Sequence, residues 1–164
     1  MLKKIGFVLV ASFSLAAVAQ NGIVEGAWGR GILQSREGVG AATSFEVARF
    51  SRESEVRVAG RLHFASRTER AAIELNSVRI ERLAVNGAVA EFAGFARGVV
   101  RTSDGPRRVE GRIQVRVQDR RREGQGDPDT FSITFANRDN SFVYNYAGLV
   151  RDGDFRVKDD GLQP

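Results

Sequence analysis

The sequence predicts an all-β fold, a single antiparallel sandwich or barrel behind an N-terminal signal peptide. Three observations predict it. Apolar and polar residues alternate with period two over several stretches, most clearly from Arg108 to Gln118. Turn pairs built on Gly, Asn and Asp recur at short intervals. No segment between them carries a strong helical pattern.

In chain order, Lys3 and Lys4 give a basic start and Ile5 to Val18 an apolar run broken only by Gly6, Ser12 and Ser14. Ala17-Val18-Ala19 then supplies small residues, as a secretory signal peptide requires, with Gln20 as the first mature residue. The run falls short of the ~20 residues a membrane-spanning helix needs, and no second long apolar run follows. The expected division is therefore 1–19 signal peptide, 20–158 all-β domain and 159–164 polar tail.

Within the domain, Gln34 to Ala42 is expected as a longer loop. Phe45, Val47 and Phe50 mark a strand whose alternation breaks near Arg49, as at a bulge. From Glu55 to Phe64, Val56, Val58, Leu62 and Phe64 share one face, with Arg57, Arg61 and His63 on the other. Ala71 to Val85 mixes spacings of two and three. A helix over Glu69 to Leu83 competes there with two short strands or one bent strand. The β-branched Val78, Ile80 and Val85, followed by Asn86-Gly87, favour strand and hairpin. Ala88 to Val100 is the hairpin partner, with Gly94 and Gly98 as kinks or close approaches. Asp104-Gly105-Pro106 turns the chain into the strand from Arg108 to Gln118, whose inner face is Val109, Gly111, Ile113, Val115 and Val117. Arg120 to Asp129 is a long loop. Phe131, Ile133 and Phe135 point inward from the next strand, Arg138-Asp139-Asn140 makes a turn, and Phe142, Tyr144 and Tyr146 share a face. Asp152-Gly153 is expected as a last hairpin between Leu149-Val150 and Phe155-Val157.

Of 164 residues, 145 follow the signal peptide, enough for one domain with a core. The chain has no cysteine, so packing and not disulfides must hold it, and no lipidated cysteine anchors it. Loss of Lys3 and Lys4 lowers the net charge from +5 to +3. Lys158 is the only lysine left among many arginines. The arginines are interleaved with acids, as on a mixed solvated surface, and only Arg120 to Arg122 form a run. That pattern argues against a nucleic-acid partner.

Catalytic residue sets are thin. His63 is the only histidine. It sits mid-strand with no G-x-S-x-G turn to present a serine, and one His without Cys makes a poor zinc site. Paired carboxylates for glycoside cleavage stay open as a weak reading. The most distinctive candidate site is the Gly-rich acidic loop between two strands. Asp119, Glu123, Asp127 and Asp129 are candidate oxygen ligands for calcium. The competing reading is a tight connection whose aspartates cap turns and whose glycines take positive φ, and Arg120 to Arg122 would oppose a cation there.

The chain from Gly26 to Lys158 also resembles the bacterial post-COAP domain. The residues that carry the resemblance are Gly29-Arg30-Gly31, Ser44-Phe45-Glu46-Val47, Val58 to Phe64, Ala90 to Ala96, the Val-x-Val-x-Asp to Asp-x-Phe-x-Ile passage from Val115 to Ile133, and Tyr146-Ala147-Gly148-Leu149 with Gly153. The loop that usually reads Asn-Gly-Glu-Pro-Gly is here Arg120-Arg121-Arg122-Glu123-Gly124. The resemblance implies an extracellular β domain without an assigned catalytic activity, and it supplies no active site.

The functional expectation is an exported, non-enzymatic β domain with a binding or structural role at the cell exterior. Its partner belongs to the extracellular space or envelope, and it needs no cofactor unless the loop takes calcium. Two alternatives remain. One is a small outer-membrane β-barrel with arginines in the lumen and Val and Phe toward lipid. The other is a lipocalin-like barrel carrying a ligand among its Phe and Tyr side chains.

Overall fold

The computed structural model describes residues 23–52, 55–121 and 126–159. Eight strands follow one another: β1 (Ile23–Gln34), β2 (Gly40–Arg52), β3 (Glu55–Arg67), β4 (Ala72–Asn86), β5 (Val89–Thr102), β6 (Gly105–Gln118), β7 (Thr130–Asn137) and β8 (Val143–Asp159). Each pairs antiparallel with the next, and β1 also pairs with β8, so the sheet closes into an up-and-down barrel. The described residues contain strands and turns and no helix, which bears out the all-β expectation.

Alternation decides what lies inside. On β6, Val109, Gly111, Ile113, Val115 and Val117 are buried while Arg108, Arg112, Gln114 and Arg116 are exposed. Phe131, Ile133 and Phe135 do the same on β7. The lumen is filled by aromatic rings from opposite walls. Phe45 on β2 lies 4.9 Å from Phe155 on β8, 5.8 Å from Phe92 on β5 and 6.3 Å from Phe131 on β7, between ring centroids. Phe64 stacks on Phe131 at 5.8 Å and meets Tyr146 at 5.4 Å. The Tyr146 hydroxyl donates to the Val39 carbonyl at 3.1 Å, which ties β8 to the β1–β2 loop.

The outer face is laced by ion pairs between residues directly opposite across strands: Glu46 with Arg61, Glu91 with Arg116, and Arg97 with Glu110. His63 belongs to this face. Its Nε2 is 3.6 Å from Glu74.

Close strand coiling depends on glycine. A Cβ on Gly111 would stand 2.0 Å from the Ala136 carbonyl oxygen, and one on Gly98 equally near that of Glu74. No side chain fits there, and the strands bend into the space.

Several boundaries differ from expectation. Ile23 to Gln34, unassigned by alternation, forms β1. The expected loop from Gln34 to Ala42 shrinks to a turn before β2 at Gly40. The irregularity near Arg49 falls on the opposite strand, where Ile23 pairs with Phe50 and Glu25 with Arg49. Residues 72–86 form one bent strand, with register shifts against β5 at Ser77/Arg79 and Ile80/Arg82.

Asp152-Gly153 is not a hairpin. It lies inside β8, where the partner of Ile32 is Asp152 but that of Leu33 is Val150, and Gly153 takes a φ of 108°. The bulge bends β8 as it passes from its β7 pairing (Val143 to Leu149) to its β1 pairing (Leu149 to Asp159). Asp159, placed in the polar tail by sequence, ends β8 and accepts a hydrogen bond from the Gly87 N–H at 2.9 Å. Residues 1–22, which include the segment expected as a signal peptide, and 160–164, the rest of the expected tail, lie outside the described residues.

Candidate functional site

The acidic connection between β6 and β7 sits where the barrel has a gap to close. β7 begins only at Thr130, which pairs with Leu149, so β8 from Val150 onward has no β7 neighbour. The loop supplies the missing acceptors. The Asp129 carbonyl accepts from Val150 N–H at 2.9 Å. Its Oδ2 accepts from Phe155 N–H at 3.0 Å and its Oδ1 from Arg120 N–H at 3.0 Å. Asp119 Oδ2 accepts from Val157 N–H at 3.3 Å. Both carboxylates are buried, Asp129 at 1% and Asp119 at 4% exposure. A buried peptide N–H must find a partner, and these two aspartates extend the ladder by side chain where backbone has run out.

Of the four calcium candidates, Asp119 and Asp129 thus converge on the β8 edge and hold backbone amides. Asp127 is exposed and pairs with Arg120 at 3.5 Å. Glu123 lies outside the described residues. Among the described residues, no three of Asp, Glu and His gather to hold a metal ion.

Beside this loop, on the outer wall, lies an open groove of about 420 Å³. Its walls are Trp28 from β1, Arg121 from the loop, and Asp154, Arg156, Val157 and Lys158 from β8, with Asp119 beneath. Pairing explains the grouping. Trp28 is opposite Arg156, and Gly26, with no side chain, is opposite Lys158. Asp154 organises the cations, accepting from Arg121 at 3.3 Å and from Arg156 Nε at 2.6 Å. The carboxylate raises the Arg156 pKa above the ordinary guanidinium value. The groove therefore offers an indole, three cations and one organising acid.

The sequence reading passed over this groove. One signal was available: Asp154, Arg156 and Lys158 alternate on one strand face, and they include the chain's only lysine after Lys4. The opposition to Trp28, more than a hundred residues away, was not legible.

No protein-family model, curated protein or solved structure matches the chain. Among the described residues no helix is long and apolar enough to cross a membrane.

Proposed function

We propose that the protein is an exported, non-catalytic β-barrel that works through its outer surface at the cell exterior, in binding or in structural association. One observation carries this reading: the lumen is occupied by its own side chains. Phe45, Phe64, Phe92, Phe131 and Phe155 are linked by ring contacts running across the barrel, centred on Phe45 and Phe131. An eight-stranded barrel is just wide enough for side chains to fill, and ligand carriage inside would require these rings to leave.

Orientation also weighs against the outer-membrane alternative. A lipid-facing barrel turns its apolar residues outward. Here the cross-strand arginine–glutamate pairs face outward, while Phe45, Phe64, Phe92, Phe131, Phe135 and Phe155 are buried inside and Phe95 lies on the outer face under Arg79 and Arg112. What remains for recognition is the exterior, and one concave polar feature on it is the groove by Trp28. Arg121, Arg156 and Lys158 against Asp154 favour a ligand bearing an acidic group, with Trp28 as the apolar contact. The export half of the proposal rests on Lys3 to Ala19, and the post-COAP resemblance agrees with it.

Expression of the full chain in a bacterial host, followed by fractionation and N-terminal sequencing, tests the proposal. The expected result is a detergent-free protein in the exported fraction, beginning at Gln20. Cytoplasmic retention with residues 1–19 intact, or recovery only with detergent, overturns it.

A further inference from the structure

The seam between β3 and β4 is incomplete. β3 pairs with β2 along its whole length, from Gly40↔Arg67 to Arg52↔Glu55, without a register shift. With β4 it pairs only from His63↔Asn76 to Arg67↔Ala72. The ladder ends where the Leu62 N–H donates to the Ser77 hydroxyl at 2.8 Å and not to a carbonyl. β4 then turns away through its two bulges against β5.

The β3 residues beyond that point have backbone groups aimed at the open side. Leu62 turns its N–H toward β4, and strand alternation gives Gly60, Val58 and Val56 the same direction. None of these three lies within the β3–β4 ladder. The lips are apolar and exposed, with Val56 at 61% and Val78 at 55% the two most exposed large hydrophobic residues described. Arg49, opposite Val58, donates past β3 to the Leu83 carbonyl on β4. Such an edge is a template for another strand unless proline, a bulge or uncompensated charge blunts it; Glu55, Arg57 and Arg61 are charged, and pairing with a copy sets Glu55 against Arg61. Residues Glu55 to Arg61 contain no proline, no lysine and no bulge.

We propose that this edge pairs with the same edge of a second copy of the chain, giving a two-fold dimer with one sheet continuous across the interface. The segment Glu55-Val56-Arg57-Val58-Ala59-Gly60-Arg61 is complementary to itself when run antiparallel about Val58. Val58 then faces Val58, and Val56 faces Gly60. These are the residues whose N–H and C=O groups point outward, so each pair exchanges both hydrogen bonds. Glu55 falls opposite Arg61 at both ends of the pairing, placing opposite charges across the new ladder. Val56 on each copy gains cover over the small Gly60 of the other. The contact is isologous and closes at two copies. It is independent of the export reading and of the groove by Trp28, which lies on the wall formed by β1 and β8.

Sedimentation of the purified protein over a range of concentrations tests the proposal. A concentration-dependent dimer is expected, with amide exchange at Val56, Val58 and Gly60 slowing as it forms. Val58→Pro removes an N–H from the open edge and none from the β2–β3 ladder, so it is expected to give a folded monomer. Two further variants guard against misfolding of that one. Glu55→Arg sets two arginines opposite each other at each end of the pairing, and Arg61→Glu sets two glutamates there. Each alone is expected to weaken self-association by tenfold or more. An equal mixture of the two associates, because the arginines of one variant then meet the glutamates of the other. A wild type that stays monomeric at all concentrations overturns the proposal and points to an extended segment of another protein as occupant. A dimer unaffected by all three variants overturns it as well.

Discussion

Asp129 Oδ2 accepts the Phe155 N–H at 3.0 Å, so a side chain at the start of β7 holds a backbone amide in the middle of β8. The contact joins the gap left where β7 stops short, and Phe155 is the residue whose ring meets Phe45 and Phe131 in the lumen. The acidic loop and the aromatic core are thereby parts of one closure.

Replacing Asp129 with Ala leaves the Phe155 and Arg120 amides without acceptors in a buried site. The expected loss is about 2–4 kcal/mol, from a cost of ~1–3 for each unsatisfied group, read by urea unfolding. Asp127→Ala, which removes an exposed pair with Arg120, is expected to cost about 0.5 kcal/mol or less.

The same geometry bears on calcium. With Asp119 and Asp129 committed to amides of β8, the melting temperature is expected to be equal in calcium, in magnesium at matched ionic strength and in EDTA. A rise specific to calcium would mean that the loop binds the ion in the folded state.

Phe45 is the hub of the lumen. Phe45→Ala is expected to cost about 3–5 kcal/mol and to leave a void that small apolar molecules enter. Thermal unfolding with and without benzene reads both effects, with stabilisation by benzene only in the variant.

Gly111→Ala is expected to destabilise by about 1–3 kcal/mol, because its Cβ would press on the Ala136 carbonyl and the two strands would have to part. Gly40→Ala, with nothing near its Cβ position, is the control and is expected to be near neutral in the same assay.

The chain has two tyrosines, so phenolate absorbance reads Tyr144 and Tyr146 alone. Burial pushes Tyr146 up to about 12, helped by its neighbour Tyr144, and burial raises Tyr144 as well. Tyrosine in an unfolded chain ionises at about pH 10. Between these values the unfolded chain releases protons that the folded chain keeps. Stability from this source is therefore complete below about pH 10 and is lost as pH climbs toward about 12. The native protein is expected to ionise its tyrosines later than the urea-unfolded chain. Coincident titrations would place both rings in solvent.

What the sequence made legible depended on range. β6 and β7 were plain because Val, Ile and Phe alternate with polar residues and, within the alternating run, no glycine interrupts except Gly111. The bend of β4 was visible in its mixed spacing. β1 was hidden, since Gly26, Gly29 and Gly31 blank the pattern. Asp152-Gly153 has the composition of a turn, yet the same freedom of φ serves a bulge, and only the pairing of β8 with β1 separates the two. The site was divided in the same way. The aspartates were recognised as special, but the amides they hold lie in β8, far along the chain.

The most direct measurement is the native mass of the protein recovered from the exported fraction without detergent. The mass of a bare chain beginning at Gln20, or of two such chains, with no bound lipid or pigment, is the expected result. A retained small molecule released only on unfolding would contradict the filled lumen and return the barrel to the class of ligand carriers.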